Sequence, residues 1–156
     1  MEEMNASVKR IYFAHWIFSY NTPFELRVLE SISRKFPGAE IVNPADYQGV
    51  THGCNMDFFY SLIDSCDIIV YAEVLPGYVS AGVGNEVKYG LSKDKLIFRA
   101  EVHDGGEVKF KRTERLEGCK LSVNETRLLN DTVTMFGPET NIDEVETKLL
   151  EMKSKY

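Results

Sequence analysis

A carboxylate at the end of a glycine-containing segment is the feature of this sequence that is most suited to catalysis or ligand binding. The segment runs from Ser80 to Glu86 and carries Gly82 and Gly84. Because glycine has no Cβ, a ligand can lie directly against its backbone. We expect a loop here, followed by a helix that begins at Asn85 and holds Glu86 in its first turn, where the positive end of the helix favours an anion. The alternative interpretation is a tight turn with a solvated glutamate.

Strands and helices alternate on both sides of this segment. Runs of β-branched and aromatic residues predict strands, and apolar residues at a spacing of three to four predict helices. The predicted strands are Ile11–Ala14, Ala39–Val42, Asp67–Ala72, Lys95–Phe98 and Thr132–Phe136. The predicted helices begin near Thr22, Met56, Asn85 and Asn141. This alternation predicts an α/β fold: a doubly wound, mostly parallel five-stranded sheet in flavodoxin-like order.

Two regions lie outside this alternation. Residues 1–8 are expected to form a flexible leader, and residues 9–156 a single domain. Within that domain, residues 99–130 break the rhythm, because a turn signal is followed by Val108 and Phe110, which alternate with charged residues. We predict a small hairpin or flap insertion before the last strand.

Two loops at the carboxyl ends of predicted strands are expected to line one crevice. Ligands of parallel α/β sheets bind at that edge, and the loops in question are His15–Tyr20 and Val74–Glu86. In the first loop His15 could contact a sugar or a phosphate, and Trp16 and Phe18 could stack on a base. A structural role in the core is the alternative for each of these three residues.

The helix after the first loop has a complete N-terminal signature. Thr22 is the expected cap, Pro23 the first helical residue, and Glu25 the acid that closes a capping box. We expect the helix to end at Pro37–Gly38.

The composition limits the classes of partner and ligand. The 156 residues are 44% hydrophobic and 27% charged, as in ordinary globular domains. The net charge of −6 at pH 7 argues against nucleic acid or an anionic membrane as a partner. Three cysteines without C-x-x-C spacing, and the lack of a signal peptide or a long apolar run, favour a cytoplasmic protein. We expect no metal site, because His15, His52 and His103 share no ligand spacing.

Three stretches in consistent order resemble the nucleoside 2-deoxyribosyltransferase superfamily, which includes N-glycosidases of deoxynucleoside 5′-monophosphates. They are Ile11–Phe13, Asp67–Val70 and Gly82–Lys95, and the similarity extends over about residues 9–99. The resemblance implies cleavage or exchange of the base of a 2′-deoxynucleoside or its 5′-monophosphate. It also implies no cofactor, and a homo-oligomer in which a neighbouring subunit completes each pocket.

The resemblance assigns roles to individual residues. Glu86 corresponds to the nucleophile that attacks C1′ of the deoxyribose. Tyr12 corresponds to a tyrosine that orients this carboxylate. Ser80 stands where the monophosphate hydrolases bind phosphate, and the backbone at Gly82 and Gly84 is expected to seat the sugar.

Two positions depart from the pattern of this superfamily. Its members carry an Asp on the second helix that assists departure of the base, whereas this chain has Phe59 there and Asp57 as the nearest acid. Two helical residues are about 200° apart, so Asp57 takes this role only if the helix is shifted or begins later. Otherwise Asp57 is an ordinary first-turn acid. The first loop also lacks the Ser and Arg of the monophosphate hydrolases, and its aromatic residues are closer to those of the transferases.

The sequence is also compatible with other functions. A non-catalytic nucleotide-binding or regulatory module is favoured by Phe59, and a ribonucleotide phosphoribohydrolase would carry a richer glycine run than Ala81–Gly84. A dinucleotide-dependent oxidoreductase is disfavoured, because Val87 occupies the third glycine position of G-x-G-x-x-G.

Overall fold

The protein is described by a computed structural model. The structure describes residues 8–16, 20–47, 56–73, 77–103, 106–116 and 119–127. The predicted strand Thr132–Phe136, the helix expected from Asn141, and residues 1–7 of the expected leader lie outside these ranges.

A five-stranded, mostly parallel sheet forms the centre of the fold. Its strands are β1 (Arg10–Ala14), β2 (Glu40–Val42), β3 (Ile68–Ala72), β5 (Leu96–Val102) and β6 (Val108–Thr113). Their order across the sheet is β2-β1-β3-β5-β6. The first four run parallel and β6 is antiparallel to β5. A second, two-stranded parallel sheet joins β4 (Tyr78–Val79) to β7 (Cys119–Lys120).

Within the described ranges, three α-helices lie between strands of the main sheet. They are α1 (Pro23–Lys35), α2 (Met56–Asp64) and α3 (Ala81–Ser92), and a short 3-10 helix covers Pro44–Tyr47. The predicted α/β fold with a mostly parallel five-stranded sheet is thus confirmed, but the fifth strand found is β6 of the predicted hairpin and not Thr132–Phe136. Among the described residues no helix is both long and apolar enough to cross a bilayer.

The helices cover both faces of the sheet, because the side chains of each strand alternate between the faces. Ile11 and Phe13 of β1 pack with the buried side of α1. Tyr12 and Ala14 of the same strand pack on the opposite face, which α2 and α3 cover. Tyr12 is fully buried there although it carries a hydroxyl, and a buried hydroxyl requires a hydrogen-bond partner.

The hairpin predicted after the fourth strand is present, but it continues the main sheet instead of standing apart as a flap. Strand β5 extends to Val102, four residues beyond the predicted end, and pairs with β6 over six residue pairs. Val108 and Phe110 of β6 pack against the core beneath α1. Burial of these two side chains is the physical reason why β6 joins the sheet.

Candidate active site

Glu86 and Tyr12 form a buried hydrogen-bonded pair on the face of the sheet that α2 and α3 cover. The Tyr12 hydroxyl donates to Oε2 of Glu86. The two residues are 74 positions apart in the chain. Glu86 is 7% exposed, and Tyr12 is fully buried. The structure therefore brings together the two residues that the resemblance implied to be a nucleophile and its orienting tyrosine.

The helix that carries Glu86 begins earlier than the sequence predicted. It starts at Ala81 with Ser80 as its cap, and the Ser80 hydroxyl accepts a hydrogen bond from the Val83 amide at 3.4 Å. The expected loop with a helix start at Asn85 was wrong, and Glu86 lies in the second turn instead of the first. Each glycine in a helix costs about 1 kcal/mol relative to alanine. The serine cap and the burial of Val83 and Val87 against the sheet offset this cost.

Gly82 and Gly84 consequently lie on different sides of a helix and have different surroundings. A Cβ at position 82 would meet no atom of the described residues within 4 Å, so the backbone there is open toward them. A Cβ at position 84 would lie 2.6 Å from Cγ of Lys120, because the lysine side chain crosses the helix at this point. Of the two backbone surfaces that the sequence offered to a sugar, Lys120 covers the one at Gly84.

The segment that carries Lys120 also holds the start of α3. Leu121 donates its amide to the Val79 carbonyl at 2.9 Å, and the Ala81 amide donates to the Thr126 hydroxyl at 3.0 Å. Strand β7 consists of two residues and has no periodic pattern, so this contact could not be predicted from the sequence.

Burial makes Glu86 a weak acid for a carboxyl group. Desolvation raises its pKa from the ordinary 4.5 to about 7. The hydrogen bond from Tyr12 acts in the opposite direction and lowers the pKa, but its effect is smaller. The pKa of Tyr12 is raised by its own burial and by the charge and hydrogen bond of Glu86. Near neutral pH, Glu86 is therefore close to half ionised, while Tyr12 remains a phenol that donates.

Two further phenols respond to the charge of Glu86. Burial first, and then the negative charges of Glu86 and Glu25, raise the pKa of Tyr20. The pKa of Tyr60 on α2 is raised by burial and then by Glu86 and Asp57. Tyr20 follows β1, and Tyr60 lies on α2 and packs against the same buried cluster as Tyr12.

His15, at the carboxyl end of β1, is fixed by both ring nitrogens. Nδ1 lies 2.9 Å from the Phe13 carbonyl and must donate to it, and Nε2 lies 2.7 Å from Oε2 of Glu25. The ring stacks on Phe13 at 3.8 Å between centroids. Burial lowers the pKa of His15. The hydrogen bonds to Glu25 and Phe13 raise the pKa, but they do not cancel the effect of burial. In this arrangement both polar atoms of the ring have partners within the chain.

Glu25 has a different role from the one that the capping box predicted. The first half of the box is present, since the Glu25 amide donates to the Thr22 hydroxyl at 3.3 Å. The carboxylate does not return to the Thr22 amide, and instead accepts from the Asn21 amide at 3.2 Å and binds His15. Glu25 is 6% exposed, which indicates a buried link between α1 and the end of β1.

We expect Glu25→Ala to destabilise the protein. The change leaves the buried Nε2 of His15 and the Asn21 amide without the carboxylate that they contact. An unsatisfied buried polar group costs roughly 1–3 kcal/mol, so the free energy of unfolding should fall by at least that amount in urea denaturation. The control is Glu30→Ala on the exposed side of α1, where the ion pair with Arg34 at 3.8 Å is solvated and contributes at most about 1 kcal/mol. Equal losses in the two variants would contradict a structural role for Glu25.

The remaining candidate residues are spread over the carboxyl edge and α2. Asp57 is exposed in the first turn of α2, while Phe59 packs against the buried cluster beneath that helix. Trp16 is half-buried directly after His15. Phe18 lies outside the described residues. In the part of the chain that the structure describes, no three His, Cys, Asp or Glu side chains are grouped as a metal site would require.

Comparisons of the chain with protein-family models, with curated proteins and with solved structures found no match. The function must therefore be argued from the site itself. Sequence reasoning did not single out Lys120, which the pairing of β7 with β4 brings against Gly84, or the contact of the Glu25 carboxylate with His15.

Proposed function

We propose that the protein cleaves or exchanges the base of a 2′-deoxynucleoside or its 5′-monophosphate through nucleophilic attack by Glu86. The observation that carries this proposal is the buried Tyr12–Glu86 pair. A carboxylate that serves only structure is usually solvated or paired with a cation. Glu86 instead receives a neutral phenol donor, and its pKa of about 7 allows it to be ionised at neutral pH.

The chemistry needs one free carboxylate oxygen. Tyr12 occupies Oε2, so Oε1 is the atom we assign to attack on C1′. The C1′–Oε1 bond forms as the C1′–N bond breaks, and the base leaves with the electron pair and takes up a proton. Water or a second base then displaces Glu86 from C1′. The hydrogen bond from Tyr12 fixes the carboxylate and favours its ionised form.

Ser80 and Gly82 supply the proposed contacts to the substrate at the start of α3. The Ser80 hydroxyl already accepts from the helix, but a hydroxyl can also donate once, so a 5′-phosphate oxygen remains a possible acceptor. The open side of Gly82 permits close approach of a sugar. For His15, Trp16 and Phe18 the roles suggested by the sequence remain proposals. A role of Asp57 in base departure likewise remains a proposal.

A second candidate function is a nucleotide-binding module without turnover. Phe59, at the position where the superfamily has the Asp that assists base departure, packs in an apolar cluster. An apolar ring cannot protonate a leaving base. This candidate predicts nucleotide binding without release of base.

Incubation of the protein with the common 2′-deoxynucleosides and their 5′-monophosphates, followed by chromatography for free base, tests the proposal. Release of base from at least one compound supports it, and addition of a second free base distinguishes exchange from hydrolysis. Binding without release from any compound supports the second candidate and rejects the enzyme.

We expect activity to rise with pH through about 7. Below that pH the Glu86 carboxyl is protonated and cannot attack, so kcat/KM should fall about tenfold for each pH unit. The Tyr12 hydrogen bond lowers the pKa of Glu86, so Tyr12→Phe should move this limb of the profile to higher pH. Stopped assays from pH 5 to 9 measure it. A profile that stays in place in Tyr12→Phe would contradict the assigned coupling.

Assembly, location and strand order complete the proposal. We propose a cytoplasmic homo-oligomer, without nucleic-acid or membrane partners, in which a neighbouring subunit completes the pocket. We also propose that the sheet is of the flavodoxin-like type. The β2-β1-β3-β5 order of its parallel strands supports this assignment.

A further inference from the structure

Residues 119–127, here called the β7 segment, lie against the first turn of α3. The Ala81 amide, at the first residue of that helix, donates to the Thr126 hydroxyl at 3.0 Å. The carbon stem of Lys120 crosses the same helix at Gly84, where a Cβ would lie 2.6 Å from the lysine Cγ. The β7 segment therefore contacts the helix at its first residue and again one turn later.

Thr126 is itself held in place by a complete capping box. The Ser122 hydroxyl accepts from the Glu125 amide at 3.0 Å, and Oε1 of Glu125 accepts from the Ser122 amide at 3.0 Å. The Thr126 amide donates to the Ser122 carbonyl at 2.9 Å, which closes one helical turn. This reciprocal arrangement fixes the start of a helix, so an ordered turn presents the Thr126 hydroxyl to α3.

The first turn of α3 needs this support, because two of its first four residues are glycines. Glycine is the least favourable residue in a helix apart from proline. On propensity alone the helix would begin at Asn85, as the sequence predicted. The Glu86 amide would then be among the first amides of the helix, which have no partner within it. In the structure the helix begins at Ala81, and Glu86 lies more than one turn inside it.

The contact between Glu86 and Tyr12 depends on this start of the helix. Tyr12 is fully buried on β1, which lies between β2 and β3, so the sheet fixes its hydroxyl. The hydrogen bond from that hydroxyl requires α3 to present Glu86 at the matching position. Loss of the first turn would release the backbone before Glu86 and admit water to its carboxylate.

We propose that the β7 segment positions the nucleophile: Thr126 and Lys120 fix the start of α3 and so hold Glu86 against Tyr12. The inference rests on the proposed function, because positioning matters for catalysis only where Glu86 attacks a bound substrate. Thr126 and Lys120 act through the helix and are therefore positioning residues. A displacement of about 1 Å at a reacting group can reduce the rate about 10²-fold.

The first test is the titration of Glu86, which needs no substrate. NMR of labelled carboxyl carbons follows its signal, which is assigned by its absence in Glu86→Gln. Thr126→Val keeps the shape of the side chain but cannot accept from α3, so the pKa of Glu86 should fall from about 7 toward the ordinary 4.5. We expect a fall of at least about one pH unit, because water then reaches the carboxylate. Tyr12, Tyr20 and Tyr60, whose pKa values respond to the charge of Glu86, are kept in every variant.

The control for this titration is Thr22→Val, which removes the equivalent hydroxyl at the start of α1. There the Glu25 amide donates to the Thr22 hydroxyl at 3.3 Å, on the helix that covers the opposite face of the sheet. This variant should lose stability in urea denaturation to a similar extent, yet the pKa of Glu86 should stay in place. Equal shifts in the two threonine variants, or no shift in Thr126→Val, would overturn the inference.

A second pair of variants tests Lys120 and decides the question even where Thr126→Val does not fold. Alanine is favoured over glycine in helices, so Gly84→Ala would preserve α3 if that helix were independent of the β7 segment. The new Cβ would instead displace the stem of Lys120, and the pKa of Glu86 should fall. Gly82→Ala makes the same change where no atom of the described residues lies within 4 Å, and should leave that pKa unchanged. An unchanged pKa in Gly84→Ala would overturn the inference.

Turnover is a separate readout. Where the wild-type protein releases base, Thr126→Val should lower kcat about 10- to 100-fold. Thr126→Ser keeps the hydroxyl and should restore both the rate and the titration of Glu86. An unchanged kcat in Thr126→Val would reject the positioning role and leave the proposed function standing. Absence of base release by the wild type would reject the proposed function, while the titration still decides whether the β7 segment holds Glu86 in place.

Discussion

Glu86→Gln should abolish release of base, with a loss of at least about 10³-fold in kcat, because the amide cannot form the glycosyl ester. The side chain keeps its size, and its carbonyl oxygen can still accept from Tyr12. Binding of the nucleoside should therefore persist while chemistry stops. The measurement is single-turnover base release by chromatography, with affinity determined in parallel.

The matched control for this experiment is Glu30→Gln. It makes the same chemical change on the exposed side of α1, which packs on the opposite face of the sheet from Tyr12, and should turn over at the wild-type rate. Equal rates for Glu86→Gln and the wild type would show that another group attacks C1′, and the mechanism would have to be abandoned.

The same substitution should stabilise the protein at neutral and alkaline pH. The folded state raises the pKa of Glu86 from the ordinary 4.5 to about 7, so the folded protein binds the proton more tightly than the unfolded chain. The stability that Glu86 contributes is then fully present below about pH 4.5 and is lost as the pH rises to about 7. The difference between these two pKa values corresponds to roughly 3 kcal/mol in the free energy of unfolding. Glutamine carries no charge at any pH and escapes this loss.

Urea denaturation of both proteins at pH 4.5 and pH 8 measures this effect. The difference in free energy of unfolding between Glu86→Gln and the wild type should grow by roughly 3 kcal/mol between these two values. Comparison at each pH cancels the titration of the other groups, and Glu30→Gln should show no such growth. A difference that is constant with pH would mean that Glu86 is not desolvated in the folded protein.

The expected loss of activity and gain of stability in Glu86→Gln are opposite consequences of the burial of Glu86. The face of the sheet that stabilises the fold through apolar packing also destabilises the ionised carboxylate placed in it. A solvated glutamate would be more favourable for folding. The protein thus holds Glu86 in an environment that is costly for stability, and the proposed attack on a bound substrate would account for that cost.

The sequence alone determined the order of the described elements, and its resemblance to a known superfamily singled out Tyr12 and Glu86, which the fold brings into contact. The strand runs at Ile11 and Ile68 are buried on both faces, which produces continuous apolar patterns, and Thr22–Pro23 sets the start of α1 through local hydrogen bonding. Gly38, with a φ of 82°, follows the end of that helix. Features of this kind depend on near neighbours in the chain, so they could be predicted.

The tertiary structure alone decided where α3 begins and what surrounds Glu86. Propensity disfavours a helix through Gly82 and Gly84, but Thr126 and Lys120, about 40 residues further along the chain, hold that segment in place. Likewise, the Glu25 carboxylate binds the ring of His15 because folding brings the end of β1 next to α1. At α3 the Ser80 cap, the Thr126 hydrogen bond and the burial of apolar side chains against the sheet together outweigh the cost of about 1 kcal/mol that each glycine adds.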